Sequence, residues 1–266
     1  MSRRFAANLG FLWTELPLPE RIGRAAAAGF DAVELHDDAQ RAPLEATRAA
    51  LRETGLPLLG INARMGDTQG RAALAGEEAG ARADTEEALE TALALGGTAI
   101  HVLGGRTEPD EAAWSRYAAA LAHACERAAP HGLTILVEPL CAEAAPGYVL
   151  GGLGPAAALL RRVGAPNLKI MFDLYHMARE AGPVERAFAR HADLVGHVQI
   201  ADPATRAEPR LDGPPDRAMP ALLAALEAAG HDGTYGAEYR PEGAVEDGLE
   251  WLAALRDGPG GHDRPS

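Results

Sequence analysis

The chain has 266 residues, of which 47% are hydrophobic and 24% are charged, and its 25 basic and 38 acidic side chains give a formal net charge of −13. This length allows one or two domains, and a single α/β barrel of about 250 residues would use almost all of it. Proteins that bind nucleic acid collect basic residues on one face, so the acidic balance argues against a nucleic-acid partner. A small anionic substrate held by one or two arginines stays compatible with it.

The cysteine content and the absence of a targeting pattern indicate the compartment. Cys125 and Cys141 form neither a disulfide framework nor a CxxC pair, which favours a reducing environment. Polar residues and prolines interrupt the first twenty residues, unlike the apolar core of a signal peptide. No stretch approaches the roughly 18 apolar residues of a membrane span. We therefore predict a soluble cytoplasmic protein with no membrane partner.

Short apolar runs alternate with longer alanine-rich, amphipathic segments along the chain. The apolar runs, each bounded by Gly, Pro, Asn or Asp, are typical of buried strands. The predicted strands are Arg4–Leu9, Ala32–His36, Leu56–Asn62, Thr98–Leu103, Leu133–Glu138, Leu168–Asp173, Leu194–Ile200 and Thr234–Glu238. The predicted helices are Pro19–Ala28, Pro43–Thr54, Arg82–Leu95, Pro109–Ala129, Gly154–Val163, Pro183–Arg190, Met219–Ala229 and Val245–Arg256. Glycines such as Gly55 and Gly96 follow the helices, where a left-handed residue ends the last turn.

Eight strand–helix pairs in one order predict a single-domain α/β fold, the (β/α)8 TIM barrel. We place the barrel at residues 1–256 and expect residues 257–266 to be a disordered tail. A doubly wound open sheet is the competing α/β fold. It usually has a glycine-rich phosphate turn after its first strand, and the sequence ANLGFLWTE is not such a turn.

Four consecutive predicted strands end in a carboxylate or a carboxamide: Glu138, Asp173, Gln199 and Glu238. One acidic residue at a strand end is ordinarily a solvated side chain that enters a loop. Four at equivalent points of one barrel mouth would converge, because catalytic side chains of barrel enzymes come from the carboxyl ends of several strands. Three negative charges there would repel each other unless a cation or shared protons relieved them.

A divalent cation is the simplest way to reduce the repulsion between the carboxylates of this cluster. Oxygen ligands from Glu138, Asp173, Gln199 and Glu238 suit Mg²⁺ or Mn²⁺ and suit zinc poorly, because zinc prefers His and Cys. The alternative is a metal-free polar cluster in which one carboxylate stays protonated.

Two further residues are candidates for substrate binding at the same mouth. His176 follows Asp173 by three residues, in the predicted loop that leaves the sixth strand, and could polarise an oxygen or carry a proton. Arg206 lies in the long loop after Gln199 and could clamp a substrate carboxylate. Arg210 is the fallback for that role, and simple solvation is the alternative for both arginines.

Other histidines and one cysteine are weaker candidates. His101 near the end of the fourth strand and His36 at the end of the second could line the pocket. His197 shares a strand face with Gln199 and is expected to support a buried polar layer. Cys141 follows Glu138 by three residues but has no evident paired base, so a role as nucleophile is not favoured.

Six segments along the chain form a recognisable set of motifs: RFAANLGFLWTELPLPER, AGFDAVEL, ILVEPL, NLKIMFDLYHMARE, VGHVQIADPATRAEP and GAEYRPEG. In these motifs the chain resembles the hydroxypyruvate isomerase family of xylose-isomerase-like barrels. The resemblance runs from about Arg3 to Trp251. It implies a (β/α)8 barrel that interconverts hydroxypyruvate and tartronate semialdehyde, or the homologous 2-oxo-tetronate and its isomer.

The resemblance also implies roles for single residues. Glu138 and Glu238 match the proton-transferring pair, the four strand-end residues match the metal positions, and His176 and Arg206 match substrate contacts. The implied reaction is metal-assisted proton transfer through an enediolate.

Three loops depart from the family's pattern: RMGDTQGRAALAGEEAGARA, LCAEAAPGYVL and PRLDGPPDRAMP. They form the rim that faces the substrate, so the chemistry is better supported than the substrate.

Three rival functions share the barrel. A ketose 3-epimerase would use the same paired glutamates, but that branch usually has His at the position of Gln199. An endonuclease of the same superfamily would want more His ligands, zinc and a basic face. A barrel that binds a metal or a sugar acid without catalysis is the non-enzymatic alternative. We also expect a homodimer as one arrangement of the exposed helices, although nothing in the sequence identifies an interface.

Overall fold

The computed structural model describes residues 2–180 and 182–256, and these form a closed barrel of eight parallel strands in chain order. This confirms the predicted TIM barrel. The strands are β1 (Phe5–Asn8), β2 (Ala32–Leu35), β3 (Leu58–Asn62), β4 (Ala99–His101), β5 (Thr134–Val137), β6 (Leu168–Asp173), β7 (Val195–Ile200) and β8 (Tyr235–Ala237). The barrel closes where β1 pairs with β8, with Phe5 opposite Tyr235.

Nine α-helices in the described residues surround the barrel or line its mouth. They are α1 (Leu18–Ala27), α2 (Leu44–Thr54), α3 (Glu78–Leu95), α4 (Glu111–Ala128), α5 (Leu153–Val163), α6 (Leu174–Met177), α7 (Val184–His191), α8 (Met219–Ala228) and α9 (Glu250–Arg256). In α1, the buried residues Leu18, Ile22 and Ala25 recur at helical spacing, which turns one face of the helix onto the strands. As expected, Gly55 and Gly96 end α2 and α3 with φ angles of 70° and 76°.

The structure corrects several predicted boundaries. Helix α3 begins at Glu78 rather than at residue 82, and the last predicted helix divides into a 3-10 turn at Val245–Gly248 followed by α9. Strands β5 and β8 end one residue before Glu138 and Glu238. The end of the barrel at residue 256 stays a prediction, and the predicted tail lies outside the described residues.

The short helix α6 replaces the predicted loop at His176. The side chain of Asp173 accepts a hydrogen bond from the backbone N–H of Tyr175 at 2.8 Å and so caps the helix. The chain therefore leaves β6 directly into a helical turn, and this turn buries the imidazole of His176 at the mouth of the barrel.

Most buried polar side chains lie at or just beyond the carboxyl ends of the strands. They are Asn8, Glu34, Asn62, His101, Glu138, Asp173, His176, Gln199, Asp202 and Glu238. Buried polar groups are costly unless they are hydrogen-bonded or paired, so their concentration at one end of the barrel marks the candidate site. No helix among the described residues has the length and apolar character needed to traverse a bilayer.

Substitution of Phe5 tests how much the closure of the barrel contributes to stability. Phe5 is fully buried, stacks on Tyr235 with ring centroids 5.9 Å apart, and meets the edge of Trp251 at 5.4 Å. We expect Phe5→Ala to lower the free energy of unfolding in urea by about 3–5 kcal/mol, because it leaves a cavity. Leu93→Ala, at a residue 42% exposed, is the control and should change it by less than about 0.5 kcal/mol. Equal effects of the two variants would contradict this account.

Candidate active site at the barrel mouth

The four predicted strand-end residues all lie buried at the mouth of the barrel. Asp173 and Gln199 are direct neighbours in the register of β6 and β7, and both are almost fully buried. Glu138 and Glu238 follow β5 and β8 and are each 5% exposed. The parallel strands therefore bring together three carboxylates and one carboxamide from four separate segments, as the sequence predicts.

Glu138, Asp173 and His176 form the tightest group of potential metal-ligand atoms, because one atom from each lies within 4.8 Å of the others. His176 Nε2 lies 3.7 Å from Glu138 Oε1 and 3.6 Å from Asp173 Oδ2. The backbone N–H of Cys141 donates to His176 Nδ1 at 3.2 Å. Since Nδ1 accepts this bond, Nε2 carries the ring proton and faces the carboxylates as a donor.

Arg206 reaches the same cluster from the loop after β7. Its Nη2 lies 2.6 Å from Glu238 Oε2 and 3.5 Å from Asp173 Oδ2. Arg206 has a left-handed backbone with φ of 63°. The Asp202 carboxylate stabilises this loop by accepting the backbone N–H groups of Ala204 and Thr205 at 2.9 and 2.8 Å.

Arg206 is also enclosed by aromatic rings. Its guanidinium lies 4.7 Å from the ring centroid of Phe11 and 5.0 Å from that of Tyr175. Planar cations pack well on such faces, so the rings confine the guanidinium to the mouth. Arg210, the fallback, is exposed and lies 3.7 Å from Asp212, away from the cluster.

Glu238 has more polar partners than the other carboxylates. Besides Arg206, its Oε1 accepts from Asn8 Nδ2 at 3.1 Å and lies 3.2 Å from His36 Nε2. Burial alone raises the pKa of Glu238, but the charge of Arg206 and the hydrogen bond from His36 outweigh it and lower the pKa to about 2. His36, a weak candidate in the sequence, therefore contacts the site directly.

Glu138 and Asp173 experience the opposite shift. Burial, reinforced by the charges of Glu238 and Asp173, raises the pKa of Glu138 well above its ordinary value. Burial also raises the pKa of Asp173 to about 7, against the opposing effect of Arg206. Both shifts express the cost of burying several like charges together, a cost that a cation would reduce.

The buried histidines at the mouth are held neutral. Burial lowers the pKa of His101 to about 3 and, together with the charge of Arg206, lowers that of His176 to about 3. His101 Nδ1 lies 3.2 Å from Asn62 Oδ1 and donates to it, so its Nε2 is an acceptor. This Nε2 lies 4.0 Å from Glu138 Oε2. His176 thus presents a hydrogen-bond donor to the mouth of the barrel, and His101 presents an acceptor.

The chemistry of the donor set fits a hard divalent cation. Gln199 Oε1 and Glu138 Oε1 are buried without a hydrogen-bond partner among the described residues. A carboxamide oxygen and carboxylate oxygens are the ligands that Mg²⁺ and Mn²⁺ prefer. Unpartnered buried oxygens are costly, and a cation would satisfy them.

Several contacts of the site escaped the sequence analysis. Asn8 donates hydrogen bonds to Glu34 and Glu238, and Glu34 accepts another from Gln199. The Asp202 carboxylate stabilises the loop of Arg206. Glu34 carried one usable signal, because it is a charged residue between apolar neighbours in a buried strand (AVELH). Cys141, doubted as a nucleophile, lies with its Sγ 3.2 Å from His176 Nδ1.

Comparisons with known proteins extend over the whole barrel. A family model described as xylose isomerase-like TIM barrel matches residues 22–255. The 2-oxo-tetronate isomerase of Cupriavidus necator is 38% identical over 256 residues, which cover 94% of this chain and 97% of that protein. The hydroxypyruvate isomerase of Escherichia coli is 32% identical over 260 residues, covering 95% and 99%. A crystal structure described as AP endonuclease, family 2, from Brucella melitensis has a TM-score of 0.90 at 36% identity and covers 97% and 100%.

The protonation of the two buried histidines can be measured by NMR. Because burial disfavours the imidazolium ion, the ring-proton shifts of His101 and His176 should keep their neutral values between about pH 5 and pH 8 in protein without added metal. The variants His101→Gln and His176→Gln assign the signals, and free histidine in the same sample provides the reference titration. A midpoint above about pH 5 for either ring would contradict the assignment of neutral, buried imidazoles.

Proposed function

The chain belongs to the xylose isomerase-like TIM barrel family and is an isomerase of that family, and we propose that its substrate is a small hydroxy-oxo acid. The proposed reaction interconverts hydroxypyruvate and tartronate semialdehyde, or the homologous 2-oxo-tetronate and its isomer. The observation that carries the proposal is the pair Glu138 and Glu238, buried at one mouth with Arg206 bonded to one of them. The names of the relatives supply the substrate class.

Two carboxylates at one mouth suit the proton transfers of this isomerisation. One glutamate removes the proton from the hydroxyl-bearing carbon beside the carbonyl, and the electron pair passes to the carbonyl oxygen to give an enediolate. The hydroxyl proton passes to the former carbonyl oxygen, and the other glutamate, or the same one, returns a proton to the former carbonyl carbon. The carbonyl and the hydroxyl have then exchanged places with no oxidant, reductant or water consumed.

We propose that three side chains orient such a substrate. Arg206 Nε is a buried donor that has no partner among the described residues, so a substrate carboxylate can accept from it. His176 offers an N–H to an oxygen, and His101 offers a lone pair to a hydroxyl. We propose that these residues bind the acid and the two reacting oxygens, because their hydrogen-bonding roles are complementary to those groups.

We further propose that Glu138, Asp173, Gln199 and Glu238 hold Mg²⁺ or Mn²⁺. The unpartnered oxygens of Gln199 and Glu138 support this ligand set. When bound, such an ion supplies positive charge that polarises a carbonyl and stabilises charge developing on oxygen. The N–H that His176 turns toward the cluster argues for substrate contact rather than ligation by this residue.

The cytoplasmic location and the homodimer stay predictions. Epimerisation of a free ketose is the alternative reaction, because it needs the same pair of carboxylates. The acidic net charge of −13 does not favour DNA as the substrate.

A panel of substrates tests the proposed reaction. The panel contains hydroxypyruvate, 2-oxo-tetronates and free ketoses, and the readout is isomer formation followed by NMR. We expect turnover of one or more of the hydroxy-oxo acids and at least about 100-fold lower kcat/KM for the ketoses, because only the acids offer a carboxylate to Arg206. Efficient epimerisation of a ketose without turnover of the acids would refute the proposal.

The variant Glu238→Gln tests the role of the carboxylate pair. We expect it to fold and to lose at least about 100-fold in kcat, because the amide cannot exchange protons. Glu227→Gln is the matched control. Glu227 lies away from the mouth and pairs with Arg3 at a distance of 2.6 Å. Wild-type turnover by Glu238→Gln would remove Glu238 from the mechanism.

Removal of metal tests the cofactor separately. Exhaustive chelation followed by dialysis should abolish turnover, and addition of Mg²⁺ or Mn²⁺ should restore it, because the buried carboxylates need a compensating charge. The circular dichroism spectrum before and after chelation controls for unfolding. Full activity of metal-stripped protein would show that the site acts as a metal-free cluster.

A further inference from the structure

We propose that Glu34 is a positioning residue that turns the side-chain amide of Gln199 so that its oxygen, and not its NH2 group, faces the cation. This inference rests on the proposed function, because it assumes that a cation binds at the mouth. Glu34 lies in β2 and is 5% exposed. It is not one of the residues that the proposed reaction uses, so its burial and its charge need another explanation.

The carboxylate of Glu34 accepts hydrogen bonds from three side chains. His197 Nε2 lies 2.6 Å from Oε1, while Gln199 Nε2 and Asn8 Nδ2 lie 2.9 and 3.3 Å from Oε2. His197 and Glu34 form a buried pair, with side chains 12% and 6% exposed. The three hydrogen bonds together fix the position of the Glu34 carboxylate.

The chemistry of the carboxylate determines which end of the Gln199 amide it meets. An ionised carboxylate only accepts hydrogen bonds, whereas a carboxamide has one end that donates and one that accepts. The NH2 group of Gln199 must therefore face Glu34, and Oε1 faces away. That oxygen is buried with no partner among the described residues, and Gln199 pairs with Asp173 in the strand register. The oxygen is thus free to bind a cation beside Asp173.

Packing alone would not hold the amide in this orientation. A cavity of about 290 Å³ inside the barrel is lined by Glu34, His197 and Gln199, together with small residues such as Gly60 and Ala99. The interiors of such barrels are usually filled by bulky branched side chains. Gly236 also makes room for the Glu34 carboxylate, because a Cβ atom at this position would overlap it. The two ends of the Gln199 amide have nearly the same shape, so the hydrogen bond to Glu34 distinguishes them where packing cannot.

A double-mutant cycle separates this role from a general effect of charge or folding. The probe is Mn²⁺ alone, added to chelator-stripped protein, with free Mn²⁺ measured by electron paramagnetic resonance. We expect Glu34→Gln to weaken Mn²⁺ binding at least about tenfold, the range for residues that orient ligands. Gln199→Leu should weaken it comparably. The double variant should bind no more than about threefold more weakly than Gln199→Leu, because Glu34 acts through that amide.

Two outcomes of the cycle would overturn the inference. One is binding by Glu34→Gln within threefold of wild type. The other is a loss in the double variant equal to the product of the two single losses, which would mean that Glu34 acts by charge alone. Failure of the wild type to bind Mn²⁺ would overturn the metal-dependent part of the proposed function as well. Binding by the wild type with no effect of Glu34→Gln overturns only the positioning role.

Two further variants guard against misfolding and against a pure charge effect. Gly236→Ala keeps every charge but displaces the Glu34 carboxylate, and it should also weaken Mn²⁺ binding at least about tenfold. Glu86→Gln is the matched control, because Glu86 also pairs with a histidine, His123, at 3.1 Å on the helical surface. It should bind Mn²⁺ as the wild type does. Unchanged binding by Gly236→Ala, with its fold retained, would contradict the positioning role.

Discussion

The burial of three carboxylates at one mouth is the constraint on which the rest of the site depends. Glu138, Asp173 and Glu238 come from three strands and repel each other in a region that excludes water. Arg206 relieves part of this repulsion by contacting Glu238 at 2.6 Å and Asp173 at 3.5 Å. The remaining cost appears in the raised pKa values of Glu138 and Asp173. A site that stays costly until a cation binds is suited to hold one, and carboxylates with shifted pKa values are also what the proposed proton transfer needs.

Below the mouth, a layer of hydrogen-bonded polar side chains replaces part of the apolar packing of the barrel interior. Glu34 accepts hydrogen bonds from three side chains on two strands, β1 and β7, and a cavity of about 290 Å³ adjoins the layer. An apolar core would pack more tightly, but it could not distinguish the two ends of a carboxamide. A polar layer can, because donors and acceptors must match. The polar layer is thus linked to the orientation that we propose for the Gln199 amide.

Strands and loops contribute different parts of the site. The residues that we assign to proton transfer and to the cation lie in hydrogen-bonded strands or directly after them, which holds their relative positions closely. The residues that we assign to the substrate come from different kinds of element: His101 from β4, His176 from α6, and Arg206 from the loop that Asp202 stabilises. Relatives named for different hydroxy-oxo acids are similar to this chain over nearly its whole length. Barrel enzymes commonly vary their loops while the strands keep the same fold.

The sequence by itself determined the barrel and the four strand-end residues, because apolar runs, helical periodicity and strand ends are local patterns that survive without a partner. It misplaced His176 in a loop, since the capping of α6 by Asp173 depends on the geometry at the end of β6. It did not predict that Asn8 and Glu34 join the site. Glu34 meets Asn8, 26 residues earlier, through the pairing of β1 with β2, and it meets His197, 163 residues later, because the barrel closes. The tertiary structure alone therefore decided which polar groups pair, because hydrogen bonds depend on direction and distance, which composition and spacing do not record.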